Sequence, residues 1–296
     1  MRFEYRRGVR VAACILVSMT AACVPSPEVT GALESLVRGS PSTVDGWYRF
    51  SEGPTRARAG DVYFSNLPSR TIHRWHVDGH VETVRDDGEM TNGLAVGPDD
   101  VLYVCEPYLR RVVALEGGET RVVADRYDGK ILNSPNDVWV HPRGVYFTDP
   151  RYSKDREMQQ DGEHVYFVAH GSSDVVRVTD DLVRPNGVVG TADALFVADD
   201  GVGKTYRYDI AADGTLSNRA LAANAGADGL TLDADGRLYV VAEVVEVFED
   251  GERVGTIDTP FRPTNVTFGG ADGRTLFITG KWVVNTIEMS VRGAGI

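Results

Sequence analysis

The stretch Asn133-Ser-Pro-Asn136-Asp137-Val-Trp-Val140 places an amide and a carboxylate side by side, after a proline and before a short apolar run. Taken alone, this pattern predicts a turn followed by a β-strand. The same arrangement recurs along the chain, with a polar residue at the head of each short apolar strand. The head residues are Glu52, Asn92, Asn136, Asn186, Asp228 and Asn265.

Each head residue is followed, after a tight turn rich in Gly, Asp or Pro, by a second strand that carries an aromatic residue. These aromatic residues are Tyr63, Tyr103, Tyr146, Phe196, Tyr239 and Phe277. A repeat of roughly 40 residues with several short strands is typical of a β-propeller, whereas a β-sandwich does not explain the even spacing. We therefore predict an all-β fold, a six-bladed β-propeller. We expect Trp47-Tyr-Arg-Phe50 to close the ring by adding an outer strand to the last blade.

The first residues of the chain have the composition of a secretory signal. Arginines precede a short apolar run that ends at Thr20-Ala21-Ala22-Cys23. The run is too short to span a bilayer, and this order of basic, apolar and small residues indicates export. Cys23 after two alanines resembles the bacterial lipoprotein box, although Thr20 stands where that box has an aliphatic residue.

We accordingly divide the chain into a signal peptide (1–22), a tether rich in Pro, Ser and small residues (23–42) and the propeller (43–296). The protein is expected outside the cytoplasm, as a lipoprotein tethered through Cys23 or as a periplasmic protein. Plain secretion and an uncleaved anchor are the alternatives.

The overall charge excludes some partners. The formal net charge of −12 argues against a non-specific nucleic-acid binder and against a polybasic membrane surface. Membrane contact is expected only through a lipid on Cys23. Once the signal is removed and Cys23 is lipidated, Cys105 remains alone, so we expect no disulfide and a buried, inert thiol.

The strand heads predict a binding site. In a propeller all first strands begin on one face, so the six head residues surround one mouth of the central channel. Carboxylate and amide oxygens are the ligands that Ca²⁺ prefers. The absence of His and Cys at the heads favours Ca²⁺ over Zn²⁺ and copper, with Mg²⁺ or Zn²⁺ kept as alternatives for one divalent cation. For any single Asn-Gly or Asp-Gly pair, turn chemistry is the simpler explanation.

Several short motifs make the resemblance to a known family specific. They are Glu52-Gly-Pro54, Asn133-Ser-Pro-Asn136-Asp137, Phe147-Thr-Asp-Pro150, Arg184-Pro-Asn-Gly187 and Ala227-Asp-Gly-Leu230. From about residue 45 to 285 the chain resembles the gluconolactonase, senescence-marker-protein (regucalcin) and luciferin-regenerating-enzyme family of six-bladed propellers. The resemblance implies a central divalent metal held by Glu52, Asn136, Asn186 and Asp228, with Asp228 as the acid/base or nucleophile.

This sequence departs from the family pattern at two places. The Trp that commonly follows Glu-Gly-Pro is missing from Thr55-Arg-Ala-Arg58, and Ser134 stands where some members have an Arg. The second departure weakens the case for a sugar-acid lactone. Asn265 is left out of the metal set because it heads the weakest blade and also reads as a glycosylation sequon.

The predicted function is the metal-dependent opening of a small lactone or ester, with the metal polarising the carbonyl and Asp228 as base or nucleophile. The rim residues expected to contact substrate are Asn92, Glu106, Asp149 and Arg151. Asp137 is expected to support the metal ligands, and the loop from Arg151 to Gly162 is either a lid or a solvated loop. An aryl-esterase or phosphotriesterase, or a non-catalytic exported propeller that binds a ligand, remains the alternative. The oligomeric state is open.

Overall fold

Six antiparallel sheets form a closed ring in the computed structural model, which describes residues 24–226 and 228–295. The first strand of each blade contacts the first strand of the next blade, and the sixth contacts the first. The six-bladed propeller is therefore confirmed. In this part of the chain, no helix is both long enough and apolar enough to cross a membrane.

Within each blade the strands pair in chain order from the axis outward. Blade 1 contains Ser51–Arg56, Val62–Asn66, Thr71–Trp75 and Val81–Arg85; blade 2 contains Leu94–Val96, Leu102–Glu106, Arg111–Glu116 and Glu119–Ala124. Blade 3 contains Val138–His141, Gly144–Asp149, His164–Ala169 and Val175–Thr179; blade 4 contains Pro185–Gly190, Ala194–Asp199, Lys204–Ile210 and Leu216–Ala223. Blade 5 contains Leu230–Leu232, Leu238–Val241, Val245–Glu249 and Glu252–Asp258; blade 6 contains Pro263–Gly269, Thr275–Gly280 and Asn285–Glu288. A small hairpin, Arg126–Tyr127 with Lys130–Ile131, lies between blades 2 and 3, and a 3-10 turn, Leu67–Ser69, follows the second strand of blade 1.

The core lies between the blades rather than inside any one sheet. Six clusters of buried apolar side chains each join two neighbouring blades. The second strand of blade 3, Gly144–Asp149, is buried along its whole length because both of its faces are covered. Its aromatic residue Tyr146 also crosses to blade 4, where its hydroxyl donates to the carbonyl of Gly214 at 2.7 Å. β-branched and aromatic residues suit such strands because they fill both faces.

The structure corrects the predicted ring closure. Ser42–Thr43, rather than residues 47–50, pairs with Asn285–Glu288 as the outermost strand of blade 6. Tyr48 makes only an isolated bridge to Trp282, and Trp47 stacks on the Trp282 ring with the centroids 5.6 Å apart. The chain bends at Asp45 and Gly46, directly before residue 47. The aromatic segment therefore packs on the loop between the second and third strands of blade 6 and does not extend its sheet.

The segment predicted as a tether is part of the folded domain over most of its described length. Glu28–Gly31 adds a fifth strand to blade 5 by pairing with Glu252–Asp258. The following 3-10 helix, Ala32–Leu36, buries Leu33 completely in the cluster between blades 5 and 6. A single buried leucine among Pro, Ser and Gly has no periodicity that would reveal it. The predicted signal peptide and Cys23 lie outside the described residues, while Cys105 is buried and free as expected.

Replacing Leu33 with Ala tests whether this segment stabilises the propeller. We expect Leu33→Ala to lower the free energy of unfolding by about 3 kcal/mol, because it leaves a cavity in a packed core. The neighbouring exposed residue gives the matched control, Glu34→Ala, which should change it by less than about 0.5 kcal/mol. Urea denaturation of the two variants measures both values. Equal stabilities would mean that residues 28–36 act as a tether after all.

Candidate functional site

A cavity of about 540 Å³ opens at the mouth of the channel where the first strands begin. The fourteen residues that line it are Phe50, Glu52, Leu67, Met90, Asn92, Pro107, Tyr108, Ser134, Asn136, Tyr152, Ser153, Arg156, Asn186 and Asp228. The structure thus places five of the six predicted head residues around one space. The remaining head residue, Asn265, lies behind the wall, where its amide donates to Glu52 Oε2 at 3.1 Å.

Glycines allow the strand heads to come this close together. Glu52, Asn92, Asn186 and Asp228 are each followed by a glycine. A Cβ on Gly53 would lie 2.5 Å from the carbonyl oxygen of Asn92, and a Cβ on Gly229 would overlap the Asn265 side chain. These glycines therefore allow the head of one blade to lie close to the head of the next, in addition to any turn they form.

Irregular pairing also aims the heads at the axis. In blade 1 the register between the first two strands shifts between Glu52 and Thr55, and in blade 4 it shifts between Pro185 and Val188. Such bulges release a residue from the strict alternation of a strand and redirect its side chain. Both shifts fall at the Glu-Gly-Pro and Pro-Asn-Gly motifs, so the motifs have a geometric role.

Carboxylates crowd at the floor of the cavity. Burial raises the pKa of Glu52 well above its usual range, and the charge of Asp228 raises it further. Burial also raises the pKa of Asp228 to about 7; the charge of Asp137 contributes in the same direction, whereas Arg262 opposes it. Asp137 lies beside them with its pKa raised by burial to about 7, although the N–H groups of Val138 and Val188 donate to it. The three carboxyl groups are therefore more stable when they are protonated or when a positive charge lies close to them.

The amides present oxygen atoms to the same space. Asn186 uses its Nδ2 to donate to Asp228 Oδ1 at 3.1 Å and to the Tyr152 hydroxyl at 2.7 Å. This arrangement turns its Oδ1 away from both partners, and no described residue donates to that oxygen. The Asn136 side chain likewise makes no hydrogen bond within the described residues, while its main chain is fixed by Thr148 and Gly93.

The described part of the chain contains no group of three or more His, Cys, Asp and Glu side chains arranged to hold a metal ion. The central metal site predicted from the sequence is therefore not shown by the structure. What the structure shows is a mixed floor of carboxylates and amides: Glu52 and Asp228 with Asn136 and Asn186.

Two of the predicted substrate contacts are structural instead. Glu106 is completely buried and pairs with Arg85 at 2.7 Å and with Arg111 at 2.6 Å, so its carboxylate faces neighbouring strands. Asp149 is also buried; it accepts the backbone N–H groups of Asn133 at 2.8 Å and Ser134 at 2.7 Å. It thereby fixes the turn that presents Asn136.

The Asp149 arrangement is repeated in blade 4. There Asp199 accepts the N–H groups of Val183 at 3.0 Å and Arg184 at 2.9 Å, just ahead of Pro185 and Asn186. Both aspartates stand three residues after the aromatic residue of the second strand. This repeated spacing is the sequence signal that would have identified Asp149 as a positioning residue.

The remaining two predicted contacts differ from each other. Asn92 lines the cavity, as expected for a substrate contact. Arg151 does not line it; its guanidinium donates to the Arg156 carbonyl at 3.3 Å within its own loop. Its neighbour Tyr152 lines the cavity instead.

The long loop after blade 3's second strand, residues 151–162, forms one side of the cavity. Tyr152, Ser153 and Arg156 line the wall, and Asn133 holds the loop base by accepting the N–H groups of Gln159 and Gln160 at 2.8 and 3.1 Å. The loop therefore contributes a wall of the site, while most of its residues from Tyr152 to Met158 are exposed to solvent.

Sequence reasoning missed the apolar part of the wall. It consists of Phe50, Leu67, Met90, Pro107 and Tyr108. Each of them stands within two residues of a strand head or directly after a second strand of blades 1 and 2. Their distance in sequence from the predicted strand ends is the signal that would have identified these apolar residues as part of the rim.

Together, the fold and this cavity define a six-bladed propeller with a polar-floored site at its axis. Residues 50–281 match the family described as the SMP-30/Gluconolactonase/LRE-like region, so the chain belongs to that family. It is 31% identical to the gluconolactonase of Zymomonas mobilis, over 83% of this chain and 80% of that protein. A gluconolactonase structure from Xanthomonas campestris is 29% identical and superimposes with a TM-score of 0.80, covering 91% of this chain and 96% of that one.

A more distant structure shares the fold alone. Regucalcin from Agrobacterium tumefaciens, described as a calcium-binding protein, is 18% identical with a TM-score of 0.70, covering 84% of this chain and 94% of that one.

The carboxylate cluster predicts how stability depends on pH without a bound cation. Glu52, Asp137 and Asp228 have pKa values that are higher in the folded than in the unfolded protein. The contribution of Asp137 and Asp228 is therefore most favourable below about pH 4 and is lost as the pH rises through about 7. The raised pKa of Glu52 acts in the same direction. In a chelator, the melting temperature should fall between pH 5 and pH 8.

A comparison of two neutralising variants isolates the cluster from overall charge. Asp228→Asn should reduce this fall in melting temperature. Glu243→Gln removes the same charge from an 89% exposed side chain near the same mouth, and it should leave the fall unchanged. A melting temperature that rises from pH 5 to pH 8 in both the parent and Asp228→Asn would contradict the raised pKa values.

Proposed function

We propose that this protein is a metal-dependent hydrolase that opens a lactone to the corresponding hydroxy acid. The observation that carries the proposal is the convergence of two carboxylates, Glu52 and Asp228, with the amides of Asn136 and Asn186 at one cavity floor. Membership of a family that includes gluconolactonases supports the lactone as the substrate class.

The residues at the floor fit a hard divalent cation. Burial and the charge of Asp228 make Glu52 costly to ionise, and burial makes Asp228 costly to ionise, so a cation between the two carboxylates would offset both costs. The Asn186 Oδ1 accepts from no described residue, because both hydrogen bonds of this amide group are made by its Nδ2. An all-oxygen donor set suits Ca²⁺, and regucalcin, which shares the fold, is described as calcium-binding. When bound, Ca²⁺ would supply a Lewis acid for the lactone carbonyl.

The protein's own residues account for the remaining roles. Glu52, Asn136 and Asn186 would hold the cation, and Asp228 would take the proton of the attacking water or attack the carbonyl carbon itself. Both routes require the ionised carboxylate, and the Asn186 Nδ2 hydrogen bond favours that form and orients it. On the first route water adds to the acyl carbon as Asp228 takes its proton, the ring C–O bond breaks, and Asp228 returns that proton to the released alkoxide oxygen. On the second route the ring C–O bond breaks as Asp228 forms an anhydride with the acyl carbon, the alkoxide oxygen takes a proton from water, and hydrolysis of the anhydride regenerates Asp228.

Replacing Asp228 tests its chemical role. Asp228→Asn keeps the shape of the side chain and removes its basicity, so kcat/KM on a lactone that the parent hydrolyses should fall by at least about 100-fold. Asp155→Asn, in the exposed part of the loop of residues 151–162, is the control and should retain activity. The parent should also lose turnover in EDTA and regain it with Ca²⁺. Full activity of Asp228→Asn, or turnover that is insensitive to EDTA, would refute the respective part of the proposal.

Tyr152 provides a separate test of the cation site. Its hydroxyl accepts from Asn186 Nδ2, so Tyr152→Phe frees that amide to rotate and should weaken Ca²⁺ binding by about 10-fold or more. Turnover at saturating Ca²⁺ should change much less. Tyr108→Phe is the matched control because Tyr108 also lines the cavity and its hydroxyl makes no hydrogen bond within the described residues. Calcium titration by calorimetry measures both; equal affinities would show that Tyr152 does not position Asn186.

A further inference from the structure

The cavity has two chemically different sides. The head residues of blades 1 to 5 form its polar floor, and the loop of residues 151–162 adds the polar residues Ser153 and Arg156. Above the heads Glu52 and Asn92, the loops of blades 1 and 2 contribute an apolar wall that consists of Phe50, Leu67, Met90, Pro107 and Tyr108. Most of the cavity surface is carbon.

The apolar wall is not part of the core. Phe50, Leu67, Met90 and Pro107 are only half-buried, and Tyr108 is 60% exposed. None of the five belongs to a core cluster. Apolar groups that stay uncovered in a concave site are typical of a surface that a ligand covers.

Two of the polar side chains that border this wall, Ser134 and Arg156, are already engaged. Ser134 Oγ donates to the Pro107 carbonyl at 3.2 Å. Arg156 donates to the same carbonyl at 2.8 Å and to the Tyr108 carbonyl at 2.9 Å, and its guanidinium lies over the Tyr108 ring. These side chains therefore hold the wall in place, and the donors that satisfy these carbonyls are not directed at a ligand.

A polyhydroxylated lactone does not suit such a wall. Each hydroxyl that moves from water onto a carbon surface loses hydrogen bonds that nothing there replaces. An alkyl or aryl group gains instead, because its own surface and the wall both leave water.

We propose that the lactone opened by this protein carries an apolar alkyl or aryl substituent, which lies against the wall of blades 1 and 2 while the ester group faces Asp228. This inference rests on the proposed function and narrows its substrate class. The cavity is large enough for a lactone ring together with a side chain of several carbons, since its volume lies in the range of drug-sized ligand sites.

A series of lactones with one ring size tests the inference. Hydrolysis of δ-valerolactone, δ-hexalactone, δ-decalactone and glucono-δ-lactone is followed by pH-stat with Ca²⁺ present, and the uncatalysed rate is subtracted. We expect kcat/KM to rise about 4-fold for each methylene that reaches the wall. Glucono-δ-lactone should be a poorer substrate than δ-valerolactone.

A variant locates the effect on the wall. Leu67→Asn should reduce the ratio of kcat/KM for δ-decalactone over δ-valerolactone by about 10-fold. Leu221→Asn makes the same exchange at a 55% exposed leucine on the outer strand of blade 4 and should leave the ratio unchanged.

The outcomes separate the two proposals. A preference for glucono-δ-lactone, or the same kcat/KM for all chain lengths, overturns the apolar substrate class and leaves lactone hydrolysis standing. No hydrolysis of any lactone, by a protein that melts cooperatively, overturns the proposed function and this inference with it.

Discussion

The close approach of the six first strands at the propeller axis is the constraint on which the rest of the structure depends. Four of the six heads are followed by a glycine, and a Cβ on Gly53, Gly93, Gly187 or Gly229 would collide with the neighbouring blade. Because the backbones approach so closely, five of the six head side chains line the channel mouth, and the sixth, Asn265, donates to Glu52 behind the wall. The site is thus a result of how the ring closes, and the outer strands affect it only through the spacing they impose.

The same crowding explains why the site is electrostatically costly. Glu52, Asp137 and Asp228 are held together in poorly hydrated surroundings. The free-energy cost of ionising them there must be compensated by the rest of the propeller. A protein that only needed a stable ring would do better with neutral residues at these heads. The fold tolerates the cost because six apolar clusters between the blades stabilise the ring independently of the axis. Function and stability therefore compete at the floor of the cavity.

Repetition made the fold and the strand heads predictable, and its absence explains what was missed. Six copies of one pattern identify which residues begin the first strands. The pattern therefore predicts that one space is surrounded by Glu52, Asn136, Asn186 and Asp228. Spacing alone does not say whether a rim residue faces the channel or a neighbouring blade. The sequence therefore predicts that Glu106 and Asp149 contact substrate, whereas in the structure Glu106 forms an ion pair with Arg85 and Asp149 accepts a backbone N–H of a turn. Apolar rim residues such as Met90 look like core residues in a sequence.

The outer strand Ser42–Thr43 links the two ends of the folded ring, since the Ser42 hydroxyl is hydrogen-bonded to that of Thr286, 244 residues away. Closing so long a loop has a large entropic cost that must be met before the final contacts form. Blade 6 is thus completed only after nearly the whole chain has been synthesised, and contacts of such high sequence separation slow folding. Once formed, the same closure must open before the ring can unravel, which favours slow unfolding and a long lifetime of the native state.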